Sequence, residues 1–155
     1  MKVRELMTPE IATVRPEDGL DQAARSMEER DCGCVVVVDE ESRLAGILTD
    51  RDVCLAALHT ERTLSRIRVA DVMTVEVFTC GPEQSVAEAE HLMGRHQVRR
   101  LPVVDERGSL LGILSLDDIA LEACLEEDLI VPPVSTRAVG RTLGQISRTH
   151  LVKKG

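Results

Sequence analysis

The sequence contains an internal repeat, in which the second copy follows the first at a constant offset of 66 residues. The segment VVDEESRLAGILTDRD at 37–52 aligns with VVDERGSLLGILSLDD at 103–118 without a gap. Between 3–58 and 69–124, 20 of the 56 aligned positions are identical. A repeat constrains the fold more than any other feature here, because both copies must adopt the same local structure. We therefore predict two copies of one structural unit.

The repeat also divides the chain. The expected parts are repeat 1 at 1–58, a polar, Arg-rich linker at 59–68, repeat 2 at 69–125 and a C-terminal tail at 126–155. Within the tail, Pro132-Pro133 breaks regular structure, and a short helix is expected over 138–148. Its apolar stripe, which we expect to dock on the module or on a second chain, consists of Val139, Leu143 and Ile146.

The hydrophobic pattern of each copy predicts the order β-α-β-β-α. The strands at 34–38 and 100–104 are almost entirely apolar, so both faces of each sheet are expected to be covered. A unit of about 55 residues is near the lower limit for independent stability. We therefore predict an α/β fold of the α+β kind, in which the two repeats pack sheet to sheet with pseudo-twofold symmetry. The other expected elements are extended pieces at 11–14 and 77–80, helices at 19–30 and 85–96, second strands at 43–48 and 109–114, and closing helices at 49–58 and 115–125.

Charge and composition exclude several kinds of partner. With 19 Lys and Arg against 27 Asp and Glu among 155 residues, the net charge is −8, which repels nucleic acid and anionic membrane surfaces. The single aromatic residue, Phe78, provides no stacking platform for single strands. There is no long apolar run, and charged residues follow Met1 at once, so we expect a cytoplasmic protein without a membrane segment.

The five cysteines show neither a disulfide framework nor the spacing of a zinc site, so reduced thiols are expected. Only Cys34 aligns with a polar residue, Arg100, in the other copy. That position suits a thiol that responds to oxidation, but a structural or merely exposed thiol is the favoured interpretation. No histidine has metal-ligand spacing, and no metal is predicted. The cysteines that align with apolar residues, and are therefore expected in the core, are Cys32, Cys54, Cys80 and Cys124.

The repeated element that brings polar groups to the end of an apolar strand is GILTDRD at 46–52 and GILSLDD at 112–118. Each places a hydroxyl three residues before an acid, at Thr49 and Asp52 and at Ser115 and Asp118. One interpretation is a helix-capping box. The other is a ligand site, in which a helix N-terminus and its hydroxyl hold phosphate while the acid binds a ribose diol. The preceding glycine, Gly46 or Gly112, is expected to permit a backbone turn or a close ligand approach.

These motifs resemble a known family. The duplicated unit, the ELMT and DVMT segments at 5–8 and 71–74, the strand LPVVD at 101–105 and the GILTDRD/GILSLDD pair are similar to the cystathionine-β-synthase (CBS) domain, here as a tandem pair, the Bateman module of stand-alone CBS-domain proteins. The resemblance covers about residues 1–125. It implies a regulatory sensor of AMP, ADP or ATP, less often S-adenosylmethionine, bound in clefts between the copies, with no required cofactor.

The resemblance also implies roles for individual residues. The ribose-binding acids fall on Asp52 and Asp118, and the phosphate-side hydroxyls on Thr49 and Ser115. The stretch that supplies backbone bonds to the base and cations to the phosphate is Cys32, Gly33 and Cys34 in one copy and Val98, Arg99 and Arg100 in the other.

The two copies differ in that stretch. Only the second has cations, and guanidinium groups suit phosphate oxygens. The alternative is that Arg99 and Arg100 pair with nearby acids at the surface. Thr13 and Thr79, at matching places in the first strand, are further candidates that could equally satisfy a strand edge.

Two functions follow. The first is an adenine-nucleotide sensor that acts through its conformation, through a homodimer formed by its helical faces, as the resemblance implies, or through an unidentified protein partner. The second is a structural or stress-related interaction module that binds no physiological ligand. The sequence has no GxxxxGK[ST], GxGxxG, HExxH or GxSxG motif, and an enzyme is not expected.

Overall fold

A computed structural model describes residues 1–125 and 134–152, with side chains through Ser147. The chain is of the α+β class, with six helices in the described part and two small sheets. The tail segment with Pro132-Pro133 lies outside the described residues. The helices are α1 (Val3–Leu6), α2 (Leu20–Glu29), α3 (Asp50–Thr60), α4 (Val86–His96), α5 (Leu116–Leu125) and α6 (Thr136–Val152). The strands are β1 (Thr13–Val14), β2 (Cys34–Val38), β3 (Leu44–Thr49), β4 (Arg100–Val104) and β5 (Leu110–Ser115).

The chain forms two compact units, which do not coincide with the two repeats. Unit 1 contains Met1–Pro9, Phe78–Asp105 and the described residues from Leu111 onward. Unit 2 contains Glu10–Val77 and Glu106–Leu110. The Met-Thr segment of each repeat therefore belongs to the same unit as the sheet of the other repeat.

In unit 2 the sheet order is β1-β2-β3, with β1 parallel and β3 antiparallel to β2. All five residues of β2 are buried, as its apolar sequence predicts. One face of this sheet packs against α2 and α3, where Val35, Val37 and Leu48 meet the helical stripe. That stripe contains Leu20, Ala23 and Met27, which have the i, i+3, i+7 spacing of a buried helix face.

In unit 1 the sheet consists of β4 and β5, and the first strand of this repeat is reduced to a parallel bridge between Cys80 and Val103. The core of the unit contains Leu101 and Leu114 from the strands. An apolar stripe of α4 is also buried there, and it consists of Val86, Ala89 and Met93.

The Met-Thr segments complete the two sheets in matching ways. The N–H of Thr8 donates to the carbonyl of Ile113 at 2.9 Å, and the reverse bond measures 3.0 Å. Thr74 and Ile47 exchange the same pair of bonds, at 2.9 and 3.0 Å. The close approach of these segments accounts for the adjacent glycines, Gly46 and Gly112. A Cβ on Gly112 would lie 2.6 Å from the carbonyl oxygen of Thr8.

Helix α6 packs on α4 and α5 within unit 1. Val139 and Ile146 contact the core of the unit, but Leu143, the third residue of the predicted stripe, is exposed. The buried position between them is Thr142, whose hydroxyl donates to the buried carboxylate of Glu90 at 2.9 Å. The buried position predicted for Leu143 is therefore occupied by Thr142, a polar residue with a buried hydrogen-bond partner. Among the described residues, no helix is long and apolar enough to cross a membrane.

Candidate functional site

In unit 1 the candidate site is the turn where β5 ends at Ser115 and α5 begins at Leu116. The backbone N–H of Ser115 donates to Asp118 Oδ2 at 2.8 Å, and the Ser115 hydroxyl donates to the same oxygen at 2.6 Å. In return, the N–H of Asp118 donates to the Ser115 hydroxyl at 3.1 Å. This is a complete capping box. The other carboxylate oxygen, Oδ1, receives no hydrogen bond from any described residue.

Unit 2 has the same arrangement between Thr49 and Asp52. The Thr49 N–H and hydroxyl donate to Asp52 Oδ2 at 2.9 and 2.6 Å, and the N–H of Asp52 donates back to the hydroxyl at 3.3 Å. Both acids are half-buried. Each repeat therefore presents one hydroxyl, one partly satisfied carboxylate and the first N–H groups of a helix.

A further capping box, which the sequence analysis did not single out, begins α4. The N–H and hydroxyl of Ser85 both donate to Glu88 Oε2 at 2.8 Å. These bonds, the one from the backbone N–H above all, lower the pKa of Glu88 below its usual value. The spacing S-x-x-E in the sequence is the signal that would have found it. Since this box is exposed and does not follow a strand, capping geometry alone does not mark a ligand site.

The residues before β2 and β4 lie beside the two strand-to-helix turns. In unit 2 the N–H of Asp50 donates to the carbonyl of Gly33 at 3.1 Å, and Cys34 pairs with Thr49 across the sheet. In unit 1 the N–H of Leu116 donates to the carbonyl of Arg99 at 2.9 Å. Each unit thus brings its predicted hydroxyl-acid pair together with its predicted base- and phosphate-binding stretch.

The two arginines of unit 1 have no acidic partner in the part of the chain that the structure describes. Arg99 is exposed and Arg100 is half-buried, and neither guanidinium donates a hydrogen bond or forms an ion pair with a described residue. By contrast, Arg43 and Arg68 pair with Asp39 and Asp71. Among the described residues, therefore, the two arginines do not form the ion pairs that the alternative predicts.

The corresponding place in unit 2 is acidic. A Cβ on Gly33, the position that aligns with Arg99, would lie 3.3 Å from the Oδ2 atom of Asp50. Leu116 occupies the position of Asp50 in the other repeat. The two half-sites therefore share the hydroxyl-acid pair and differ in charge beside it.

The side chains of Cys32 and Val98 face the cores of their own units. The N–H of Cys32 donates to Met27 at 3.0 Å, and that of Val98 donates to Met93 at 3.1 Å. No described residue donates to the carbonyl oxygens of Cys32 and Val98. These carbonyl oxygens therefore remain available as hydrogen-bond acceptors.

Thr13 and Thr79 take up matching positions at the first extended pieces. Thr13 is exposed and pairs with Val36 of β2, whereas Thr49 pairs with Cys34 of the same strand. Because Val36 and Cys34 are two residues apart, the two threonines lie on the same face of the sheet. Thr79 is half-buried and precedes Cys80. Both threonines thus adjoin the strand that carries the predicted base- and phosphate-binding stretch.

Two cysteine assignments from the sequence are wrong. Cys34 is only 7% exposed, which agrees with the structural alternative for this thiol, whereas Cys54 and Cys124, expected in the core, are exposed. The last two align with apolar residues because α3 and α5 carry outward-facing apolar side chains as well as buried ones, such as Leu58 and Leu125. Cys80 is buried, as expected, and burial raises the pKa of its thiol to about 11.

Two further features lie near α4. The ring of Phe78 stacks on that of His96, with the ring centroids 3.7 Å apart. An open pocket of about 410 Å³ lies along the outer side of α4, next to Glu88 and His91. It contains none of the predicted site residues, and the Glu88 carboxylate is engaged in capping. No cluster of three or more metal-ligating side chains occurs within the described residues.

Comparison with known proteins identifies the repeats. A family model described as the CBS domain matches residues 3–59 and 69–123. The CBS domain-containing protein YhcV of Bacillus subtilis is 35% identical over 149 residues, which are 96% of this chain and 97% of YhcV. A putative signal-transduction protein with CBS domains from Burkholderia ambifaria is 35% identical, with a TM-score of 0.66 over 79% of this chain and 88% of that one. CBSX2, crystallised in complex with AMP, is 27% identical, with a TM-score of 0.71 over 81% of this chain and 98% of its own.

Proposed function

The chain belongs to the CBS domain family, and from that premise we propose that it binds an adenine nucleotide as a regulatory ligand and signals through its conformation or its contacts with other chains. The observation that carries the proposal is the pair of guanidiniums, Arg99 and Arg100, that adjoin a strand-to-helix turn and lack acidic partners among the described residues. The AMP complex of CBSX2 supports the same class of ligand.

Each part of a nucleotide has a matching group in unit 1. Asp118 Oδ1 is available to accept a hydrogen bond from a ribose hydroxyl, and the N-terminus of α5 favours negative charge. Arg99 and Arg100 supply planar donors for phosphate oxygens. The carbonyl of Val98 suits the exocyclic amine of adenine, which is a donor. AMP, ADP and ATP share all of these features, and S-adenosylmethionine lacks the phosphate.

We propose that the two half-sites bind nucleotide unequally. Thr49 and Asp52 retain the hydroxyl-acid geometry, but Gly33 and Cys34 offer no cation, and the Asp50 carboxylate lies next to Gly33. Asp50 is exposed, but a phosphate at this place would lie well within the Debye length of about 8 Å, so the two like charges would still repel. Phosphate is therefore expected to favour unit 1, and adenosine is expected to distinguish the two sites less.

The test compares two capping acids. In Asp118→Ala and in the control Glu88→Ala, a capping carboxylate is lost, at a cost of about 1 kcal/mol in each case. ATP at a hundredfold excess over its Kd should stabilise the wild type and the control by about 2.7 kcal/mol, and Asp118→Ala much less. Arg99→Ala should weaken ATP by about tenfold or more while adenosine binding stays close to normal. Equal stabilisation of Asp118→Ala and Glu88→Ala by ATP would contradict the proposed site.

The alternative is an interaction module without a physiological ligand. It is favoured by one observation, that both hydroxyl-acid pairs already satisfy each other as capping boxes. Calorimetry with AMP, ADP, ATP and S-adenosylmethionine separates the two functions. An absence of binding heat at millimolar concentrations of all four ligands would favour the interaction module. Turnover of any of them would refute the further part of our proposal, that the protein is not an enzyme.

We also propose that the protein forms a homodimer through outward apolar faces. In α3, Leu58 is 69% exposed, and in α5, Leu121 and Leu125 are 64% and 72% exposed. Such side chains are costly to leave in water when they lie together on one helix face. Sedimentation should show a dimer that Leu58→Asp and Leu125→Asp weaken, whereas Leu143→Asp on α6 should have no effect. A wild-type monomer at high concentration would contradict this.

A cytoplasmic location is the remaining part of the proposal. Cys54 and Cys124 are exposed thiols that form no disulfide. Free exposed thiols suit a reducing compartment. Cell fractionation tests this, and recovery of the protein outside the cytoplasm would contradict it.

A further inference from the structure

The last turn of α4 is held by the C-terminal helix. The side-chain amide of Gln97 donates to the backbone carbonyl of Gln145 in α6 at 3.2 Å. The Gln145 side chain also lies against Gly94, where a Cβ would come 2.1 Å from its Oε1 atom. Gln145 therefore contacts α4 at two points, one of which requires a glycine.

This contact adjoins the phosphate-binding stretch. Gln97 ends α4 in the left-handed conformation, with φ 56°, and Val98, Arg99 and Arg100 follow directly. The carbonyl of Arg99 in turn accepts the N–H of Leu116, the residue between Ser115 and the rest of α5. A continuous path of contacts thus leads from α6 through Gln97 to the arginines and the hydroxyl-acid turn, all within unit 1.

The first repeat lacks these contacts. The positions of Gly94 and Gln97 are taken there by Glu28 and Asp31, both exposed. Asp31 is also left-handed, with φ 48°, so the two repeats share the backbone geometry and differ in the helix that holds it. Both helices on which α6 packs, α4 and α5, belong to the repeat that carries the two arginines.

We propose that α6 positions Arg99 and Arg100 for phosphate through Gln97, so that docking of α6 and nucleotide binding favour each other. This inference rests on the proposed function for its ligand and on the described contacts for the positioning. Docking of α6 is anchored independently by Ile146 in the core and by the bond from Thr142 to Glu90. Coupling of this kind is reciprocal, because each event must change the equilibrium of the other by the same factor.

Gln97→Gly tests the positioning, with Asp31→Gly as its matched control. Glycine fits a left-handed position in both, so the variants differ in the loss of the Gln97 side-chain bond. In the unliganded protein, the amide of Val98 should exchange about threefold to tenfold faster in Gln97→Gly, the effect of one hydrogen bond. The amide of Cys32 in Asp31→Gly should exchange at nearly its wild-type rate.

Ligand binding provides the second measurement. In Gln97→Gly the affinity for ATP should fall by a similar factor, while that for adenosine, which the arginines do not contact, should stay unchanged. Gly94→Leu, which fills the place of the Gln145 side chain, should have the same effects and should also speed exchange within α6. ATP, but not adenosine, should slow exchange in α6 of the wild type.

The outcomes separate the two proposals. If the Val98 amide in Gln97→Gly exchanges at the wild-type rate, the positioning role is overturned whether or not ATP binds. If that amide does exchange faster, the positioning stands, and an absence of ATP binding to the wild type then refutes the nucleotide proposal alone. Equal loss of ATP and adenosine affinity would show general destabilisation and would also overturn the inference.

Discussion

Replacing Gly112 by alanine should destabilise the protein through a single backbone contact. The added Cβ would lie 2.6 Å from the carbonyl oxygen of Thr8, which is bonded to Ile113 and cannot retreat without straining two hydrogen bonds. Ordinary carbon-oxygen contacts are about 3.3 Å or longer, so a shift of roughly 0.7 Å is needed. Overpacking of this kind costs about 1–3 kcal/mol, and alanine recovers about 0.5–1 kcal/mol through the unfolded chain.

The expected net loss is about 1–2 kcal/mol, or a fall in Tm of about 2–8 °C for a chain of this size. Urea denaturation followed by circular dichroism measures it, with an unchanged m-value as evidence that only stability has altered. The matched control is Gly140→Ala in α6, where a Cβ meets nothing within 4 Å. That variant should gain about 0.5–1 kcal/mol from helix propensity. If Gly112→Ala is as stable as Gly140→Ala, the Met-Thr segment does not lie against Gly112 as described.

Two other predictions concern capping and thiol reactivity. Ser85→Ala should cost about 1 kcal/mol near neutral pH. Folding lowers the pKa of Glu88 from 4.5, first through the backbone N–H of residue 85, which the variant keeps, and second through the Ser85 hydroxyl, which it loses. The hydroxyl's share of this stabilisation is present above about pH 4.5 and is lost as the pH falls through the folded value, so the stability difference between wild type and variant should narrow in acid; a difference that does not change with pH would contradict this. In the monomer at pH 8, a disulfide reagent should titrate Cys54 and Cys124 rapidly, while Cys80, whose pKa burial raises to about 11, should react only after unfolding. Rapid reaction of Cys80 would contradict its burial.

Local signals in the sequence predicted most of the secondary structure. The buried stripe of α2, with Leu20, Ala23 and Met27, follows directly from the spacing of its apolar residues. The hydroxyl-acid pairs at Thr49 and Ser115 also lie where their spacing placed them, at the ends of apolar strands. These features depend on residues a few positions apart, which is why sequence alone revealed them.

The burial of individual side chains, which depends on their tertiary contacts, could not be predicted from local spacing. Cys54 and Cys124 align with apolar residues, yet they are exposed, because an apolar pattern does not distinguish a helix face in the core from one turned outward. Leu143 is exposed for a related reason. Thr142 is buried in its place, because its hydroxyl bonds to the carboxylate of Glu90, which lies 52 residues earlier in the chain.

The duplication, its elements and the pairs of candidate site residues were determined by the sequence itself. Which Met-Thr segment completes which sheet was decided only in the tertiary structure, where Thr8 bonds to Ile113 and Thr74 to Ile47. Both copies offer the same Met-Thr and Gly-Ile-Leu segments, so pairing within a copy and pairing between copies are equally complementary in sequence. The packing of the whole chain, and no local preference, selects the exchanged arrangement.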